Sequence, residues 1–258
     1  MGTSSLHRSP STPQWERVRD LYRTYHPDPS EVVSRIVSAL DPPTRSGLSD
    51  MAATCCLDRL LHGSEAAAEQ RLAAFLAPGH SLAESPATLL AAGVRDAADR
   101  LIAARGVSSR YGDLALQALG SSVLELARCV SDVEGPRPCL AELQAHLGGF
   151  HTQRKLHCLT GTFLAHDLEH TFRYFVARDI PQFVGTEALP TVADGLQLQD
   201  RIAATCREIT EDVDLADTES DTHAAISHPD PGRRTVALQG ILRESVDRGL
   251  AALAAAKD

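Results

Sequence analysis

Residues 152–184 read TQRKLHCLTGTFLAHDLEHTFRYFVARDIPQFV, and this stretch decides how the rest of the chain is read. It gathers four of the six Phe and three of the eleven His of the protein. Its apolar residues recur at spacings of three and four and never alternate with period two, which predicts one long helix over 152–178. Ile180-Pro181 ends it, because proline cannot continue the hydrogen-bond ladder. At about 100° per residue, His151, Lys155, Thr162, His166, Glu169, His170 and Arg173 share one stripe. Phe150, Leu164, Leu168, Phe172, Phe175 and Val176 fall opposite. Such a helix buries its apolar side and turns its polar stripe to solvent or to a neighbour, with Glu169 and Arg173 spaced as an i,i+4 ion pair.

Outward from this helix the pattern repeats. Periodic apolar segments are predicted as helices at about 14–25, 28–40, 44–61, 64–76, 86–106, 110–130, 139–147, 191–210 and 231–256. Asp28-Pro29-Ser30-Glu31 carries an N-cap, a proline at the first helical position and an acid two residues further on. The expectation is an all-α bundle of nine or ten antiparallel helices without significant sheet, as one unit or as two packed sub-bundles. The Gly/Pro-containing segment 131–138 (SDVEGPRP) is the expected linker between an N-terminal bundle at 14–130 and a C-terminal helical region at 139–212. The Ser/Pro/Thr-rich tail 1–13 and the acidic stretch 213–230 are expected to be unstructured, the latter tethering a last helix within 231–258.

Composition narrows the function classes. The formal charge of −9 argues against nonspecific nucleic-acid binding, which needs a basic surface. No apolar run approaches the roughly 20 residues of a membrane span, and the N-terminus lacks the apolar core of a secretory signal. Cys55, Cys56, Cys129, Cys139, Cys158 and Cys206 form no C-x-x-C pair, and several sit among apolar neighbours, so they are expected to be reduced, buried thiols. Arg far outnumbers Lys, and Ala and Leu dominate, a bias of GC-rich bacterial coding. Together these features predict a cytoplasmic bacterial protein.

One string carries metal-like chemistry. His166 and His170 lie one helical turn apart and Asp167 follows His166, so imidazoles and a carboxylate are close in sequence. The local run Leu164-Ala165-His166-Asp167-Leu168-Glu169-His170 resembles the central motif of the HD superfamily of metal-dependent phosphohydrolases. The resemblance covers about seven residues. It implies a divalent metal on the His166-Asp167 pair, with His170 nearby. An upstream His (146, 151 or 157) and a downstream Asp (200, 212 or 214) would complete the set, and the metal would activate water.

The alternative is a non-enzymatic interaction protein without cofactor: an adaptor, regulatory subunit or assembly component that binds another protein or itself. It is the preferred reading, since no G-x-S-x-G, G-x-G-x-x-G or P-loop occurs. The aromatic cluster serves either as core or as a docking surface, and Phe175, Val176, Ile180, Phe183 and Val184 are the residues expected at a partner contact.

Overall fold

A computed structural model describes residues 12–24, 27–55, 86–104, 110–131, 153–211, 224 and 228–256. These form eight α-helices: α1 (Pro13–Tyr22), α2 (Pro29–Ala39), α3 (Pro42–Cys55), α4 (Pro86–Ala104), α5 (Arg110–Ser131), α6 (Gln153–Asp179), α7 (Val192–Glu211) and α8 (Pro231–Ala255). A single 3-10 turn (Ile180–Gln182) follows α6, and the described residues contain no strand, only an isolated bridge between Val184 and Leu189. The all-α expectation is met. Eight helices are described; the two further helices expected at 64–76 and 139–147 lie outside the described residues. So do residues 1–11, 132–152 and 212–223.

Helix starts follow local chemistry. Five of the eight helices begin with Pro, whose missing N–H costs nothing at the first helical position. Thr12 accepts from Trp15 N at 3.2 Å, Asp28 from Ser30 N at 3.1 Å, and Asp230 from Gly232 N at 2.8 Å. Thr191 and Asp194 cap α7 reciprocally: Asp194 N donates to Thr191 Oγ1 at 3.2 Å, and Thr191 N to Asp194 Oδ2 at 2.9 Å.

Helix α6 is the axis of the packing. It lies between α5 and α7 and also meets α8, while α2 and α3 pack against α8, and α4 lies on α5. Helices from both sides of the expected linker at 131–138 therefore contribute to one cluster of buried side chains. Gly249 lets α8 close on α6, because a Cβ there would come within 2.9 Å of Leu168 Cδ1 and 3.3 Å of Leu164 Cδ2. Gly195 does the same at the start of α7, where a Cβ would meet Ile180 Cγ2 at 2.8 Å. No helix among the described residues is long and apolar enough to cross a membrane.

The aromatic cluster is core. Helix α1 docks across the C-terminal end of α6: Trp15 meets Phe175 edge-on at 5.3 Å, and Tyr22 meets Phe183 at 5.5 Å. The Trp15 indole donates to the buried carboxylate of Asp179 at 2.8 Å. Phe175, Val176, Ile180 and Phe183 are buried, and Val184 is half-buried against the same cluster. These five residues, expected at a partner contact, pack within the described fold. Phe175 and Phe183 meet rings of α1, about 160 positions earlier, which local sequence does not reveal, while Ile180 and Val184 lie against Gly195 of α7.

Candidate functional site

His166 and His170 project from α6 toward α5, one turn apart, and meet two α5 residues that are also one turn apart. His166 Nε2 lies 2.8 Å from Glu125 Oε2, and His170 Nε2 lies 3.1 Å from Ser121 Oγ. The reversed order of the partners shows that α5 and α6 run antiparallel. The imidazoles stack at 6.2 Å between centroids. His166 is buried and His170 partly so, and burial depresses the His170 pKa below its ordinary value.

Helix α7 closes the other side. Arg207 Nη2 lies 2.7 Å from Glu169 Oε2, and Nη1 lies 3.6 Å from Glu125 Oε2. Glu169 Oε2 is also 3.5 Å from His166 Nδ1. Two carboxylates on α5 and α6 thus share one imidazole and one guanidinium. The hydrogen bond from His166, with Arg207 adding to it, holds the Glu169 carboxyl near 2. Glu169 in turn raises the Arg207 pKa. Arg173 extends the network, donating to Asp200 at 3.0 Å and standing 3.8 Å from Glu169. The predicted i,i+4 pair therefore exists, but each member has a closer partner on α7.

Asp167 leaves this network. Adjacent helical residues diverge by about 100°, and Asp167 is buried with no hydrogen-bond partner at Oδ2. Thr171, one turn on, is buried with its hydroxyl likewise unpartnered. Desolvation pushes the Asp167 carboxyl up to about 7. The His-Asp string therefore splits, with the imidazole in a charged interhelical network and the acid in the core.

Of the residues that would complete a metal set, Asp200 is paired with Arg173. His146, His151, Asp212 and Asp214 lie outside the described residues, as does the side chain of His157. Among the described residues no group of three or more His, Cys, Asp or Glu side chains is arranged to hold a metal ion. Cys206, beside Arg207, is buried, and its thiol pKa is raised by desolvation, so it lacks the thiolate character of a nucleophile.

Sequence reasoning missed Glu125, Ser121 and Arg207. One signal existed for the first two: Ser121 and Glu125 repeat on α5 the i,i+4 spacing of His166 and His170 on α6. Nothing local marks Arg207. Comparisons with known protein families, with curated proteins and with solved structures find no match.

Proposed function

We propose that the chain is a non-enzymatic, all-helical interaction protein of the bacterial cytoplasm: an adaptor, regulatory subunit or assembly component that engages another protein or a second copy of itself. The observation that supports it is Arg207 between Glu125 and Glu169. The guanidinium neutralises two carboxylates that would otherwise face each other across His166. His166, Glu169 and His170 of α6 are thus engaged in joining α5, α6 and α7. The exposed pair Val192 and Leu196, one turn apart on α7, offers apolar surface for a contact. The net charge of −9 favours a protein partner over nucleic acid.

Two measurements test the reading. Elemental mass spectrometry of wild type and His166→Ala is expected to find no stoichiometric transition metal in either, even after reloading with Mn or Zn. Near-stoichiometric metal lost in the variant would move the assignment to a phosphohydrolase resembling the HD superfamily and using His166, Asp167 and His170. Photocrosslinking in the source cell from position 196 should give a discrete protein adduct that position 208, exposed on the same helix, does not. Identical patterns from both positions would overturn the interaction reading.

A further inference from the structure

Helix α1 sits on the rest of the fold as a short peptide sits on a receptor. It is ten residues long, packs along α2 and is joined to it by residues 23–28. A helix this short is marginal in water by itself, so the surface beneath keeps it folded. Its buried side chains are Trp15, Val18 and Tyr22, at i, i+3 and i+7 on one face. Glu16, Arg17 and Asp20 stand around the other side, all exposed. Anchors at this spacing on an otherwise polar helix are the mark of helix-in-groove recognition.

The surface under α1 has a defined chemistry. Phe175 and Phe183 receive the two rings edge-on. Between them the buried carboxylate of Asp179 accepts the Trp15 indole at 2.8 Å and faces Arg19 Nε at 3.6 Å, both through Oδ2. Arg178 lies over the Trp15 ring at 5.5 Å. This groove therefore takes an indole at i, an aliphatic side chain at i+3, a cation at i+4 and a ring at i+7.

One of these contacts is poor. Tyr22 Oη is buried and makes no hydrogen bond among the described residues, and the same is true of Asp179 Oδ1 in the same joint. A hydroxyl buried this way weakens docking roughly tenfold relative to the same ring without it. Phe at this position would keep the edge contact with Phe183 and lose only the cost. The resident helix is thus not the best ligand for its own groove.

We propose that this groove is the docking site for an amphipathic helix of a partner protein, with Trp, an aliphatic residue, Arg and Phe at i, i+3, i+4 and i+7, and that α1 is an autoinhibitory helix which the partner displaces. The occupant follows from Tyr22. A second copy of the chain brings the same tyrosine at the same cost and gains nothing over the α1 already tethered, whereas a helix with Phe does. The short connection to α2 holds α1 at an effective concentration on the order of 1 mM, which sets the threshold a partner must exceed. The site rests on the interaction reading for the existence of a partner and adds a second surface to Val192 and Leu196.

The test uses the full chain with its single tryptophan, Trp15, incorporated as fluorotryptophan, so that fluorine NMR reports on α1 alone. It is titrated with unlabelled peptides of residues 12–24, one of native sequence and one with Tyr22→Phe. The Tyr22→Phe peptide is expected to move the signal to its denatured-chain position with half-effect near about 0.1 mM, and the native peptide near about 1 mM. A chain carrying Trp15→Ala/Tyr22→Ala, whose own anchors are gone, should bind the fluorescein-labelled Tyr22→Phe peptide at least about tenfold more tightly than wild type does. No displacement up to about 5 mM of the Tyr22→Phe peptide overturns the proposal. So do equal effects of the two peptides, and so does binding that leaves the fluorine signal in place, because that is attachment elsewhere. Should the double variant fail to fold, the two peptides on wild type decide. Failure here leaves the crosslink expected from position 196 unaffected, and loss of that crosslink leaves the peptide result standing, so the two readings fall separately.

Discussion

Arg207 Nη2 lies 2.7 Å from Glu169 Oε2, joining α7 to α6 across 38 positions of sequence, and the same guanidinium reaches toward Glu125 on α5. Removing it leaves two carboxylates facing each other with only His166 between them. Arg207→Met is expected to destabilise the protein by about 1–2 kcal/mol, at the low end for such pairs because Arg207 is about two-fifths exposed. A double-mutant cycle with Glu169→Gln in urea should return a coupling near 1 kcal/mol. Additive effects would show that the bridge is an onlooker.

Asp167 predicts a pH dependence opposite to that of a salt-bridged acid. Its carboxyl titrates near 7 in the fold against an ordinary 3.8, so the folded state holds a proton that the unfolded chain has already released. This contribution to stability is intact below about pH 4 and is lost as pH rises toward 7. The gap of about three pH units corresponds to a penalty on the order of 4 kcal/mol above pH 7. Asp167→Asn should be more stable than wild type at pH 8 and should flatten the decline between pH 5 and 7, read from urea midpoints. A variant with the wild-type slope would place the burial cost elsewhere.

Trp15 is the sole tryptophan, so its fluorescence reports whether α1 is docked on α6. Asp179→Ala leaves the buried indole N–H without its acceptor, at a cost of about 1–3 kcal/mol. Its emission should shift to the red, or the fluorescence transition should move to lower denaturant than the loss of helix seen by circular dichroism. Unchanged emission and a single unshifted transition would mean that ring packing alone holds α1.

Two glycines should respond with opposite sign. Gly249→Val forces methyl groups into Leu164 and Leu168, and overpacking of this kind costs about 1–3 kcal/mol. Gly240, exposed on the same helix with nothing among the described residues within 4 Å of an added Cβ, should gain about 0.5–1 kcal/mol on substitution by Ala. Thermal melts of the two variants, side by side, check the placement of α8 against α6.

The helices themselves were legible in the chain. Period and caps are local: Asp28-Pro29, Asp230-Pro231 and the Thr191–Asp194 pair set helix starts through contacts within a few residues, and observed starts fall within two residues of expectation. The polar stripe of α6 was legible too, but its destination was not. Periodicity separates a polar face from an apolar one without saying whether water or Glu125 and Arg207 will cover it. The same limit explains Phe175 and Phe183, which sequence leaves as core or docking surface until α1 is folded over them. The His-Asp string shows the limit most plainly. Sequence alone determined that His166, Asp167 and His170 share a helix. Only the tertiary structure decided that the two imidazoles face α5 while the carboxylate is buried without a partner at Oδ2. The reason is physical: a helix sets directions by local hydrogen bonds, while charge compensation and desolvation depend on helices brought alongside from distant parts of the chain.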